Sequence, residues 1–236
     1  MKNAAGLSLH RPSAKIAATM VLYLIAAVPL FFAFVVLLPW NRSRAPETLT
    51  LMGTFLKGAL VFLPAYLVIL LLRAIFGFSY EGFFLYLSLL LRDHLVPLLA
   101  GLGGLLLLKW KLNITRDDET IFLTVFSFLS GFFGMLNLTD AFFASGSWDP
   151  YALYLLPSLR LATVLFVSLF AQRFFRWEGT DGVLFCGAAA GLAILLNFSS
   201  FFCRMNRAGW SVLLAVVPLL MAASFFAMRF PRALRD

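Results

Sequence analysis

Long apolar runs separated by short polar segments dominate the hydrophobic pattern of this chain. A helix that crosses the hydrocarbon core of a bilayer needs about 20 predominantly apolar residues. The runs are close to this length and predict seven transmembrane helices, at residues 16–40, 49–72, 83–108, 120–142, 151–172, 183–203 and 209–228. Because the connections between them are short, we expect an all-α polytopic membrane bundle in which residues 1–236 form a single transmembrane domain.

The composition favours the same class of protein. Of 236 residues, 62% are hydrophobic and only 13% are charged, whereas soluble domains carry about 25% charged residues. A soluble fold of this length could not bury so much apolar surface, so the lipid bilayer is the expected surrounding. The net charge of +8 could favour nucleic acid, but Lys and Arg lie in short clusters between apolar runs, which is typical of membrane topology. We therefore expect no nucleic-acid partner.

The first predicted helix begins after a basic segment that resembles the start of a signal peptide. The apolar run from Ile16 to Trp40 is too long for the hydrophobic part of a signal peptide, and no clear cleavage site follows it. The pattern therefore predicts a retained transmembrane helix. Cys186 and Cys203 lie within or at the end of one apolar run, where small packing residues are expected rather than a disulfide.

Three basic clusters indicate the orientation of the chain in the membrane. They lie at Lys109–Arg116, Arg173–Arg176 and Arg229–Arg235, and all three fall on one side if the last four spans alternate. Basic residues accumulate on the cytoplasmic side of membrane proteins. The C-terminus is therefore expected in the cytoplasm of a bacterial cell, and the connections at 143–150 and 204–208 are expected outside the cytoplasmic membrane.

The segment 83–108 leaves two topologies open. It can cross the membrane once, which gives seven spans and an outside N-terminus. It can also turn at Arg92-Asp93-His94, so that residues 74–110 cross twice and give eight spans. The distribution of basic residues favours two crossings. Length favours one, since Gly82–Leu91 would form only about 15 Å of helix.

Four consecutive predicted spans each carry a polar residue at a comparable depth, in the half of the bilayer away from the basic clusters. These residues are Asp93, Asn137, Arg160 and Asn197. A lone charge at such a depth costs at least about 2.5–3.5 kcal/mol. We therefore predict an ion pair between Asp93 and Arg160, with the two amides completing its hydrogen bonds. The four residues form either a substrate- or partner-binding site open to the outside or a purely structural cluster.

Candidate catalytic residues are few. Asp93 and His94 could form an acid–base pair, although adjacent side chains on a helix point about 100° apart. His10 is the only other histidine, so no histidine-based metal site and no cofactor are expected. Asp140 either joins the polar cluster or caps the outer end of its helix, and the second role is favoured. Arg73 is expected at the membrane interface.

The order of these features resembles the PrsW-type intramembrane proteases, relatives of the CAAX-processing membrane proteases. In that family one span carries two adjacent glutamates followed by a lysine, the next helix ends in F-x-x-x-E-N, and later spans carry histidines. Here "LLLRDHLVPLL" occupies the place of the glutamate pair, and "FFGMLN" keeps Phe132 and Asn137 but has Leu136 for the glutamate. "LPSLRLATVLF" and "AILLNFSSFF" stand where histidines would be expected, with Asn197 at the last position. The similarity covers roughly residues 74–203.

The resemblance implies a degenerate, non-proteolytic member that binds a membrane partner, such as another membrane protein, without cutting it. The glutamates that activate water in the family are replaced, and an aspartate held beside an arginine is a poor base. Two other functions stay open. One is a small-solute transporter or permease subunit, with a helix interrupted around Pro97–Gly104. The other is an active membrane hydrolase that uses Asp93 and His94.

Overall fold

The computed structural model describes residue 30 and residues 45–75, 81–108, 118–144, 149, 151–175 and 180–229. Apart from Leu30, the predicted first span at 16–40 lies outside these residues. So do the basic cluster at Lys109–Arg116 and the last residues of the chain, 230–236.

All regular structure in the described ranges is helical. The elements follow one another in this order: α1 (Ala45–Ile75), α2 (Gly82–Leu89), a π-helical turn (Leu90–Leu95), α3 (Val96–Leu108), α4 (Asp118–Ala144), a second π-helical turn (Tyr151–Leu155), α5 (Leu156–Phe175), α6 (Thr180–Arg204) and α7 (Ala208–Arg229). The first π-helical turn joins α2 to α3, and the second leads directly into α5. The described chain therefore forms six helical rods.

Five of these rods are long and apolar enough to cross a membrane. They are Thr50–Ile75, Gly82–Leu108, Thr120–Phe143, Tyr151–Ala171 and Gly187–Arg204. Helix α7 contributes a shorter apolar stretch, Gly209–Met221, within its described part. The expected all-helical membrane bundle is thus confirmed, with five spans in the described ranges where the whole sequence predicts seven.

The segment from Gly82 to Leu108 is one continuous rod, so the alternative turn at Arg92-Asp93-His94 is wrong. The backbone remains hydrogen-bonded through this region, because the amide of Val96 donates to the carbonyl of Leu91, one residue further back than in an α-helix. In lipid such continuity avoids unpaired backbone groups. The interruption expected around Pro97–Gly104 is also absent, since α3 is unbroken. The irregularity lies one turn earlier, in the π-helical turn.

Helix α4 lies at the centre of the bundle. Every residue from Ile121 to Gly134 is buried, as expected of a helix that is apolar on all sides. Its most extensive contact is with α1. A β-carbon placed on Gly58 would overlap the carbonyl oxygen of Phe128, and one placed on Gly131 would overlap that of Phe55. The two glycines therefore allow the backbones of α1 and α4 to touch, as small residues do in membrane helix pairs.

Candidate functional site

A polar pocket of about 270 Å³ lies where several helix ends meet at one face of the bundle. Helices α1, α4 and α6 end at this face, and the π-helical turn before α5 begins there. The pocket is lined by Arg73, Arg92, Asp93, Asp140, Phe143, Asp149, Tyr151, Ala152, Leu156 and Arg204. Charged groups from four different rods thus share a single cavity.

Asp140 lies between two arginines on the inner side of the pocket. Arg73, in the last turn of α1, donates to both carboxylate oxygens of Asp140, with Nη2 3.1 Å from Oδ2. Arg160 of α5 places Nη2 2.6 Å from the same Oδ2. Its Nη1 donates to Oδ1 of Asn137, 2.7 Å away. The buried Arg160 is therefore held by a carboxylate and an amide that both belong to α4.

Asp93 has its own set of donors. The neighbouring Arg92 donates from Nε to Oδ1 at 2.9 Å and from Nη2 to Oδ2 at 2.8 Å. The hydroxyl of Tyr151 donates to Oδ2 at 2.7 Å. Both carboxylate oxygens are therefore engaged by groups of the protein, and the carboxylate itself is buried.

The predicted ion pair between Asp93 and Arg160 is wrong, because each charge has another partner. The π-helical turn brings Arg92 to the carboxylate of Asp93. Arg160 instead meets Asp140, which lies one turn beyond Asn137 on the same face of α4. Asp140 thus joins the polar cluster, and the cap favoured from the sequence is wrong. Arg73, expected at the membrane interface, lies in the last turn of α1 and pairs with Asp140.

Helix α6 is tied to the Gly82–Leu108 rod by three polar contacts. The hydroxyl of Tyr86 donates to the backbone carbonyl of Ile194, 3.0 Å away. A hydrogen bond of 2.8 Å joins Nε2 of His94 to Oγ of Ser200, and both side chains are buried. Asn197 donates from Nδ2 to the backbone carbonyl of Tyr86, 2.8 Å away. His94 and Asp93 therefore have different partners. Of the four predicted polar residues, the structure joins Asn137 to Arg160 directly and gives Asp93 and Asn197 separate partners.

The rim of the pocket is formed by residues that the sequence pattern did not single out. Arg204 of α6 donates from Nη2 to Oδ2 of Asp149 at 2.7 Å, and its guanidinium lies 4.4 Å from the ring centre of Tyr151. The carboxylate of Asp149 also accepts from the backbone amide of Tyr151 at 3.1 Å. Asp149-Pro150 before an apolar run is a recognisable helix-start signal. That signal locates Asp149 but does not reveal its pairing with Arg204.

The arginines of the pocket are more exposed than the aspartates that they bind. The exposed fractions of the side chains are 20% for Arg73 against 7% for Asp140, and 24% for Arg92 against 3% for Asp93. At the rim they are 37% for Arg204 against 24% for Asp149. Asp93, Asp140 and Asp149 also line the cavity. Because Asp93 and Asp140 are far less exposed than the arginines beside them, guanidinium groups form most of the accessible charged surface at these two pairs.

Donors exceed acceptors in this part of the bundle. The ion pairs described above contain the four arginines Arg73, Arg92, Arg160 and Arg204 and three aspartates, a net charge of +1. Among the residues that the structure describes, Nε of Arg73, Nε of Arg160 and Nδ2 of Asn137 are buried without an acceptor. Buried donors are normally satisfied. Of these three side chains only Arg73 lines the pocket, so the unpaired donors belong mainly to the buried cluster around Asp140.

The arrangement suits recognition of an anion more than coordination of a metal. A guanidinium presents a planar fork of donors that matches carboxylate and phosphate oxygens. In the described ranges, no three His, Cys, Asp or Glu side chains are placed so that they could hold a metal ion.

No protein-family model, curated protein or solved structure matches this chain. The relationship to PrsW-type proteases therefore stays a prediction from the sequence. Leu136, which stands where the family motif has a glutamate, packs in the hydrophobic core.

Proposed function

We propose that this protein is a multi-pass membrane protein that binds an anionic group of a membrane-borne partner in the arginine-lined pocket and does not cleave it. The observation that carries the proposal is that Arg73, Arg92 and Arg204 line one cavity and that each is more exposed than its aspartate partner. The pocket opens at the face that the basic clusters predict to be outside. A π-helical turn on each of two rods borders the pocket, and such turns are frequent at functional sites.

Binding without cleavage is supported by the state of Asp93. A general base needs a lone pair within reach of the proton that it removes. Three hydrogen bonds from Arg92 and Tyr151 already occupy most of the acceptor positions of the Asp93 carboxylate. The carboxylate thus orients an arginine and a tyrosine toward the pocket.

Arg204→Gln should weaken the binding of anionic amphiphiles at least tenfold, because a hydrogen bond to a charged group contributes about 1.5–3 kcal/mol. The measurement is the melting temperature in a neutral detergent with dodecyl phosphate, laurate or the neutral amphiphile monolaurin. At a concentration of 100 Kd a ligand stabilises the folded state by about 2.7 kcal/mol, which raises the melting temperature by several degrees.

Arg207→Gln is the matched control, since Arg207 is exposed and does not line the pocket. We expect both anionic amphiphiles to stabilise the wild type and the control, and monolaurin to have no effect on any variant. Equal stabilisation of Arg204→Gln and the wild type would mean that the anions bind elsewhere and would refute the proposal.

A membrane hydrolase is the second candidate function, and the contact between His94 and Ser200 favours it. A serine hydrogen-bonded to a histidine is the arrangement that activates a nucleophile. In such a reaction Ser200 Oγ would attack a carbonyl carbon while His94 Nε2 accepts its proton and passes it to the leaving group. Water would then release the acyl group. Because Ser200 is fully buried, α6 must move away from the Gly82–Leu108 rod to admit a substrate.

A fluorophosphonate probe tests the hydrolase in native membranes. An active enzyme should be labelled in the wild type and should lose the label in Ser200→Ala. Ser199→Ala is the control, because Ser199 is also buried but bonds to Ser211 of α7. Absence of labelling in the wild type, or equal labelling of Ser200→Ala, would remove this candidate.

A further inference from the structure

Several residues of the pocket lie at the ends of helices that are long and apolar enough to cross a membrane. Arg73 is in the last turn of α1, Arg204 is in the last turn of α6, and Tyr151 opens the rod that continues as α5. The ends of helices that cross the hydrocarbon core reach the polar headgroup region. The cavity is therefore within reach of a phosphate that belongs to the surrounding leaflet.

The cavity also borders apolar surface. Phe143 lines the cavity and is largely exposed. Ile75 of α1 and Phe142 of α4 do not line the cavity but are also largely exposed. A soluble anion would use only the polar wall, whereas an amphiphile can place its charged head against the arginines and its chain along Phe143. The combination of an arginine-lined wall and an apolar margin fits a lipid.

The placement of the donors favours phosphate over carboxylate. Arg73, Arg92 and Arg204 belong to three different rods and line one cavity. A phosphate presents oxygens in several directions, whereas a carboxylate presents two in one plane. The volume of about 270 Å³ corresponds to roughly nine water molecules at about 30 Å³ each, which leaves room for a phosphate and an attached glycerol.

The charge of the pocket also bears on the choice among phosphates. The three arginines and three aspartates that line the cavity sum to zero, and the additional positive charge of the cluster belongs to Arg160, which is buried beside Asp140 and does not line the cavity. A phosphodiester adds one negative charge to this neutral lining, whereas a phosphomonoester adds about two and is disfavoured.

We propose that the pocket binds the phosphodiester of an anionic glycerophospholipid from the adjacent leaflet, with Arg73, Arg92 and Arg204 around the phosphate and an acyl chain along Phe143. This assignment rests on the proposed function and specifies the class of its ligand. The lipid is a bound partner, and no bond in it is broken.

The test is the binding of lipids to the purified full chain in neutral-lipid nanodiscs or detergent. The probes are phosphatidylglycerol, oleate as a carboxylate amphiphile, and glycerophosphoglycerol, the soluble phosphodiester that remains when both acyl chains are removed. We expect oleate to bind at least tenfold more weakly than phosphatidylglycerol, and glycerophosphoglycerol at least a hundredfold more weakly. Arg204→Gln should weaken the binding of phosphatidylglycerol at least tenfold. Arg204→Lys should keep part of the affinity for this lipid, and Arg207→Gln should keep all of it.

The outcomes separate this inference from the function on which it rests. If oleate binds as tightly as phosphatidylglycerol and its binding depends on Arg204, the pocket is an anion site but the phosphodiester assignment is wrong. If glycerophosphoglycerol binds as tightly as the whole lipid, the ligand is a soluble phosphodiester and the lipid assignment is wrong. If Arg204→Gln melts like the wild type and binds every anion as tightly as the wild type does, both proposals fail.

Discussion

Asp140→Asn should destabilise the protein more than the loss of any other carboxylate in the pocket. Asp140 is the common partner of Arg73 and Arg160, and Arg160 is only 1% exposed. Removing one partner of a buried ion pair typically costs about 3–5 kcal/mol, because it leaves an uncompensated charge. Asparagine preserves the size of the side chain, so the change isolates the lost charge. The measurement is the free energy of unfolding in detergent.

Asp149→Asn provides the matched control, because it makes the same chemical change in an ion pair at the rim. Asp149 and Arg204 are both partly exposed, and pairs of this kind contribute about 0–1 kcal/mol. A similar small loss in both variants would contradict the central role of Asp140. The double variant Asp140→Asn/Arg160→Met should recover part of the loss, since it also removes the stranded cation, with a coupling of at least about 0.5 kcal/mol.

The depth of the polar residues could be predicted from the sequence, whereas their pairing could not. Depth follows from the number of residues along a helix at 1.5 Å each, and this placed Asp93, Asn137 and Arg160 near one face. Pairing depends on the rotation of each helix about its axis. The π-helical turn at Leu90–Leu95 shifts this rotation by about one residue. No periodic pattern in "LLLRDHL" predicts such a turn.

One of the missed contacts had a signal in the sequence. Asn137 and Asp140 are three residues apart, and residues at this spacing lie on one face of a helix. Since Asn137 was expected to face Arg160, Asp140 was within reach of the same guanidinium, as the structure has it. The contact between Arg204 and Asp149 joins residues 55 positions apart. It depends on how α6 packs against the rod that begins at Tyr151, which local sequence does not determine.

The glycines between α1 and α4 should be the most sensitive positions outside the pocket. Gly58→Ala and Gly131→Ala each place a methyl group against a backbone carbonyl of the opposite helix. Backbone atoms cannot move aside as the end of a side chain can, so the two helices must separate. Overpacking of a core typically costs about 1–3 kcal/mol, and contact with backbone places these variants at the upper end. The loss should appear as a lower melting temperature in detergent.

Gly53→Ala on α1 and Gly134→Ala on α4 are the matched controls, because no described atom outside their own helices lies within 4 Å of a β-carbon at either position. Alanine favours the helix by about 1 kcal/mol over glycine, so we expect these controls to be neutral or slightly stabilised. Separation of α1 from α4 should also loosen the contact between Arg73 and Asp140 and weaken anion binding in the same variants. If Gly58→Ala and Gly131→Ala melted like the two controls, the close approach of α1 and α4 would be refuted, and with it the packing that positions Arg73 in the pocket.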